Sequence, residues 1–317
     1  MDAESIPLPW QAAQWADLLV QRAAGRLPHA LLLAGPSGTG KLAFATRFAA
    51  LVLCAAGEAA PCGTCRHCRL VAAGSHPDLV AVRPAEPGKA IRIDAIRALR
   101  DFCAARPHQA GWRVILIEPA EALNNPAANA LLKTLEEPGE QTLLLLVAHQ
   151  PSHLPATVRS RCRAIRFSEP GFQVGLDWLR ARLPHGEDPA DLLREAGGRP
   201  LHALQLAEAE SAAQRARLRE LAAAVACGEL TPADAAPEAA RLDWELAAES
   251  LANLLRDAAR AEAGARRPPR LAALRCFDEL VRARRDRAAN TNLNAELVWD
   301  RLWQSWRRAA GTAGASG

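Results

Sequence analysis

Tyrosine is absent from the 317 residues, and methionine occurs once. Lysine occurs three times, at Lys41, Lys89 and Lys133, against 36 arginines. This skew reads as a coding bias, so an arginine here is weak evidence for an arginine-specific role. No apolar run approaches the roughly 20 residues that span a bilayer, which argues against a membrane protein. The first 25 residues hold Asp2, Glu4, Pro7, Pro9 and two tryptophans. They lack the basic start and apolar stretch of a secretory signal, so a cytoplasmic chain is expected. There is no internal repeat.

What is present suits packed domains. Half the residues are hydrophobic and 23% are charged, which excludes disorder over most of the length. The length fits two or three domains. A net charge of +4 tolerates a nucleic-acid partner without demanding one. Four of the eight cysteines fall between residues 54 and 68; Cys103, Cys162, Cys227 and Cys276 are scattered and expected as buried thiols.

Residues 1–168 alternate short apolar runs with amphipathic stretches. Ala30–Ala34, Leu79–Val82, Val114–Ile117, Leu143–Ala148 and Ala164–Phe167 are four to six residues each and read as buried parallel strands. Leu42–Leu53, Asp94–Ala104 and Pro126–Glu137 read as helices, the last capped by Asn125 and stopped by Pro138. The pattern predicts an α/β domain with a five-stranded parallel sheet. The texture changes near Ser168-Glu169-Pro170-Gly171. A small helical unit is expected over 169–208, with turns at Pro184-His185-Gly186 and Gly197-Gly198-Arg199-Pro200. An all-helical domain follows over 209–317, with turns near Gly228, Pro232, Pro237 and Pro268-Pro269 and a frayed end from Gly311.

Four features carry chemistry. Gly35-Pro-Ser-Gly38-Thr-Gly40-Lys41-Leu42 follows a strand and opens a helix, the context of a phosphate-binding P-loop. Gly35, Gly38 and Gly40 let the backbone wrap phosphates, and Lys41 reaches the outer ones. The next residue should carry a hydroxyl for Mg²⁺, and Leu42 has none. A loop kept for its shape, with nucleotide (ATP or ADP) bound weakly or not at all, is therefore an open reading. Val114-Ile-Leu-Ile-Glu118-Pro119 ends a strand in an acid suited to orienting Mg²⁺, but Pro119 stands where a water-activating carboxylate belongs. Glu121 is out of register and is expected to start the following helix.

Cys54-x7-Cys62-x2-Cys65-x2-Cys68 can close a tetrahedral structural Zn²⁺ site; His67 and His76 are alternative ligands, with His76 better read as part of a turn with Pro77. Ser160-Arg161-Cys162 precedes the fifth strand, where a guanidinium at a domain edge can reach a neighbour's nucleotide or simply lie on a surface loop. Trp10 and Trp15 read as the apolar face of the first helix. Trp299, Trp303 and Trp306 read as helical core, and the arginines of 282–287 and 307–308 as solvated faces.

These residues together resemble the clamp-loader branch of the AAA+ ATPases. The resemblance runs from Leu27-Pro-His-Ala-Leu-Leu-Leu-Ala-Gly through the P-loop, the Cys cluster and Ser75-His-Pro-Asp-Leu. It continues through Asn129-Ala-Leu-Leu-Lys-Thr-Leu-Glu-Glu-Pro138 to Ser160-Arg161-Cys162, covering residues 8–167. Beyond that only helical texture and Asn290-Thr-Asn-Leu-Asn match.

The resemblance implies a P-loop AAA+ domain, a small helical lid and a C-terminal helical collar for oligomerisation. In bacteria both a hydrolysing motor subunit and a rigid stator carry the Cys cluster and Ser-Arg-Cys. Leu42, Pro119, Ser75-His-Pro-Asp-Leu with Ile93-Asp94-Ala-Ile-Arg97, His149 at the γ-phosphate-sensing position and Leu201 at the second sensor position all point to the stator, with Arg199 out of register.

It implies a subunit of the DNA polymerase III assembly that is not catalytic on its own. Arg161 would act in trans on a motor subunit's ATP. The implied partners are the gamma/tau motors and the delta subunit in a hetero-pentamer, and through that assembly the sliding clamp and primer–template DNA. An autonomous ATPase motor, with water or Thr39 replacing the missing hydroxyl, is the alternative. A zinc-dependent DNA-binding protein is a third reading, but no basic or aromatic recognition helix flanks the cysteines.

Overall fold

Short runs of leucine, valine and isoleucine can lose both faces to solvent only if helices cover each side of the sheet they form. The computed structural model, which describes residues 7–57, 60–86, 88–104, 111–183, 188–264, 271–288 and 294–310, has this arrangement. The chain enters through a 3₁₀ turn at Pro9–Gln11 and α1 (Ala12–Ala23). Then follow β1 (Ala30–Ala34), α2 (Lys41–Leu53), α3 (Arg66–Ala72), β2 (Leu79–Val82), α4 (Ile93–Ala104) and β3 (Arg113–Ile117). After these come α5 (Asn125–Glu136), β4 (Thr142–Ala148), α6 (Ala156–Arg159), β5 (Arg163–Arg166) and α7 (Phe172–Arg180).

The five strands form one parallel sheet in the order β2-β3-β4-β1-β5. The central strands β1, β3 and β4 are buried along their whole length, while β2 and β5 are partly exposed edges. Alternation divides the core in two. Leu31, Leu33, Val114, Leu116, Leu143 and Leu145 face Phe44 and Phe48 of α2. Leu32, Ile115, Ile117, Leu144 and Leu146 face Ile96 and Leu99 of α4 and Leu131 and Leu135 of α5. Each such side chain contributes about 1.5–3 kcal/mol on burial, so these two layers hold the sheet rigid beneath the loops at its carboxyl edge.

The expected strands stand within one residue of those observed. The cap of α5 does not: its N-cap is Asn124, whose Oδ1 accepts from the Ala127 N–H at 2.9 Å, so Pro126 lies one position further in than expected. The Asn124 N–H donates to the Ile91 carbonyl at 3.2 Å, and this holds Asn124 outside the helix. Glu121 starts no α-helix. It lies in a 3₁₀ turn, Ala120–Ala122.

The described residues divide into two compact units, one of those up to Arg182 together with Gly198–His202, the other of the remainder. The second unit is helical, with α8 (Pro189–Glu195), the later part of α9 (Pro200–Leu206), α10 (Ala209–Cys227), α11 (Pro232–Ala240), α12 (Trp244–Gly264), α13 (Leu271–Ala288) and α14 (Ala295–Ala310). Trp299 and Trp303 are almost fully buried in its core, and Trp306 Nε1 donates to the Ala222 carbonyl at 2.8 Å.

Pro237 does not turn the chain but sits inside α11. Thr231 caps that helix, and Ala235, Ala236 and Ala239 bury against the core, offsetting the missing N–H. Cys276 is buried as expected and Cys103 and Cys162 partly so, but Cys227 is exposed. The buried apolar positions described in α10 are Leu218, Leu221, Ala222 and Val225, and Cys227 falls off that face. The turns at Pro184-His185-Gly186 and Pro268-Pro269, most of Asn290-Thr-Asn-Leu-Asn and the tail from Gly311 lie outside the described residues.

Candidate functional site

The P-loop is fully formed and closed by its own chain. Gly40, at φ +84°, turns the backbone into α2, which starts at Lys41. A side chain at Gly40 would meet Leu8 Cδ1 at 2.6 Å and Gln11 Nε2 at 2.8 Å. One at Gly38 would meet His202 Cβ at 2.7 Å, so the first turn of α9 presses on the loop, with Leu201 Cδ1 3.1 Å from a side chain built at Gly40. Trp10 Nε1 and Gln11 Nε2 both donate to the Thr39 carbonyl, at 3.0 and 2.9 Å. Trp10 therefore departs from the expected apolar helix face: it belongs to the preceding turn, edge-on to Trp178, while Trp15 packs edge-on to Phe44 and Phe48. The Thr39 hydroxyl is committed to the Pro36 carbonyl at 2.9 Å.

Lys41 is 2% exposed. Its ammonium donates to the Pro36 carbonyl at 2.5 Å. Burial pulls its pKa down to about 8, against the opposing pull of Glu121 and Glu118. Leu42 packs against the core of the α2 layer.

Glu118 at the end of β3 has His149 Nε2 at 3.6 Å and Arg83 Nε at 3.4 Å. The His149 ring, with Arg83 and Lys41 in support, holds the Glu118 carboxyl below the usual carboxylate range. Glu121 has a role that its spacing did not reveal. Its Oε1 accepts the backbone N–H groups of His149 and Gln150, at 2.8 and 2.9 Å, and so caps the turn after β4. The signal was an acid three residues after Glu118, within a turn's reach of the neighbouring strand end.

Cys54, Cys62, Cys65 and Cys68 come together, their sulfurs all within 4.8 Å of one another. Cys54 caps the end of α2 and Cys65 the start of α3. The Cys54 sulfur lies 3.6 Å from that of Cys62 and 3.8 Å from that of Cys65. These spacings suit the edges of a thiolate tetrahedron with metal–sulfur bonds of about 2.3 Å, so the group can hold a metal ion. The Cys65 N–H and the Thr64 hydroxyl donate to Cys62 and draw its pKa down to about 6; burial pushes the Cys68 thiol up to about 12. His67 and His76 are not part of the group. They pair with each other at 2.9 Å, and His76 Nδ1 accepts from the Asp78 N–H.

Arg161 follows α6 at the surface. Its Nε and Nη2 reach Glu136 Oε1 at 2.9 and 2.7 Å, and Nη1 donates to the Thr157 carbonyl at 3.0 Å. Cys162 next to it packs into the core with Val158, and burial pushes its thiol up to about 11, keeping it neutral. The three features of the first unit thus separate: a closed loop, a thiol cluster and an exposed cation.

The family model described as "DNA polymerase III, delta subunit" matches residues 10–171. The DNA polymerase III subunit delta prime of Pseudomonas aeruginosa is 45% identical over 67% of this chain and 65% of its own length. That of Escherichia coli is 33% identical over 81% of this chain and 77% of its own. The E. coli tau subunit is 32% identical over 58% of this chain and 29% of its own length. The chain thus spans just under two thirds of the Pseudomonas relative. A crystal structure of a gamma-subunit-related protein from Thermotoga maritima shares the fold, with a TM-score of 0.53 and 18% identity over 92% of this chain and 98% of that one. A family model over half the chain, and an E. coli delta prime subunit 33% identical and covered over 77% of its length, show that the chain belongs to the delta prime branch of the DNA polymerase III delta subunit family.

Proposed function

We propose that this chain is a stator subunit of a clamp loader. It hydrolyses no ATP of its own and donates Arg161 to the ATP site of a neighbouring gamma/tau motor subunit. The observation that carries the reading is the closed P-loop. Lys41 is tied to Pro36, the loop carbonyl at Thr39 is bonded by Trp10 and Gln11, and α9 covers Gly38. Leu42 offers no Mg²⁺ hydroxyl, Pro119 offers no base, and the hydroxyl of Thr39 is already committed to Pro36. The first two points weigh against the autonomous-motor alternative.

Gly35, Gly38, Gly40 and Lys41 then form a structural loop rather than a site for ATP or ADP. Zn²⁺ in the Cys54, Cys62, Cys65 and Cys68 group ties the end of α2 to the start of α3 and supplies rigidity alone, since four thiolates leave no open position. The lid over 169–208 and the collar over 209–317 link the P-loop domain to a hetero-pentamer of gamma/tau and delta subunits. That assembly opens the sliding clamp around primer–template DNA in the cytoplasmic replisome. Among the described residues no helix is long and apolar enough to cross a membrane.

The direct test is steady-state ATP hydrolysis by the purified chain with Mg²⁺, with Lys41→Ala as control. The stator reading expects a background rate for both. A clear rate abolished by Lys41→Ala would make the chain a motor.

A further inference from the structure

The arginine proposed to act in trans is held by a residue that no part of that role requires by name. A guanidinium has five N–H donors in a planar fork. In Arg161 two are hydrogen-bonded, Nε–H to Glu136 Oε1 and one Nη1–H to the Thr157 carbonyl, while Nη2 lies 2.7 Å from the same Oε1 in the ion pair. At least one N–H remains on each terminal nitrogen, able to donate to a phosphoryl oxygen.

Both anchors of this hold are rigid. Glu136 ends α5, which Leu131 and Leu135 fix in the core, both at 1% exposure or less. Thr157 belongs to α6, fixed by Val158 at 0% exposure. Arg161 and Glu136 themselves are exposed, 38% and 51% of their side-chain surface. An ion pair this wet adds little to stability. What it changes is the direction of a long side chain that would otherwise sample many rotamers.

We propose that Glu136 is a positioning residue for Arg161. Its carboxylate holds the Nε edge of the guanidinium so that the terminal N–H pair faces the γ-phosphoryl group of a nucleotide bound to the neighbouring subunit. This rests on the trans role of Arg161 stated above and deepens it. The hold acts through hydrogen-bond geometry, so an amide oxygen at the same place replaces it.

The experiment measures kcat and KM for ATP in the clamp-loader complex reconstituted with gamma/tau and delta subunits, this chain being wild type, Arg161→Ala, Glu136→Ala, Glu136→Gln or the Glu136→Ala/Arg161→Ala double variant. Glu136→Ala is expected to lower the Arg161-dependent share of kcat roughly tenfold, the scale of loss when a reacting group is misaimed, and to leave KM within about twofold. Glu136→Gln is expected to stay within about twofold of wild type, and the double variant to match Arg161→Ala alone. Full activity with Glu136→Ala beside a clear loss with Arg161→Ala overturns the positioning role and leaves the trans arginine standing. Equal losses with Ala and Gln overturn it in favour of a charge effect, and a faster Glu136→Ala complex overturns it in favour of competition for the guanidinium. No loss with Arg161→Ala overturns the trans role itself and Glu136 with it.

Discussion

The Lys41 ammonium donates one of its three N–H groups to the Pro36 carbonyl at 2.5 Å, inside its own loop. Its burial also makes it a stability probe. The folded pKa of about 8 lies below the ordinary lysine value of 10.5. Below pH 8 the lysine is charged in both folded and unfolded chains, and the burial cost is fully present. Between pH 8 and 10.5 the folded chain loses the proton first, and stability rises with pH. A shift of this size corresponds to about 3 kcal/mol. Lys41→Met should therefore be more stable than wild type at pH 7, by up to that amount, and the gap should close as pH approaches 10.5. Urea unfolding across pH 7–10.5 checks it; a Met variant less stable at pH 7 would contradict the account.

The thiol cluster predicts a metal dependence of the first unit. Wild-type chain purified without chelators should carry one zinc by mass spectrometry. Cys65→Ser should carry much less and unfold roughly 5–10 °C lower, as a loss of a few kcal/mol implies for a unit of this size. A wild-type chain without zinc would sink the assignment.

Arg215 makes a separate prediction for the second unit. It is 1% exposed, bonded to Glu195 at 2.6 Å and to the Leu206 carbonyl at 2.8 Å. Arg215→Ala should destabilise that unit by about 3–5 kcal/mol, because Glu195 is left half-buried without its partner. Thermal unfolding followed by calorimetry reads the effect, and a shift under about 1 kcal/mol would refute it.

Much of the architecture was legible because its signals are local. Five apolar runs, each bounded by turn residues, located the strands, and the glycine spacing after Leu33-Ala34 located the P-loop. The cysteine spacing brought four sulfurs together because α2 and α3 anchor both ends of the loop. What stayed hidden depends on long-range partners. Asn124 and Asn125 are equally good caps in sequence, and only the Asn124 bond to Ile91 chooses between them. Glu121 has no strand-end role until the end of β4 lies beside it. Trp10 looks apolar until Thr39, 29 residues away, offers its carbonyl. Cys227 is different: the spacing of Leu218, Leu221, Ala222 and Val225 already put it off the buried face.

The central claim is that this chain works in another subunit's active site. The most direct measurement is ATP hydrolysis by the reconstituted complex in which only this chain carries Arg161→Ala, with assembly verified by gel filtration. Trans arginines are worth roughly 10³–10⁵ in rate at the site they complete. The account predicts an intact complex in which the contribution of the one adjoining ATP site is lost. An intact complex hydrolysing ATP at the wild-type rate would contradict it.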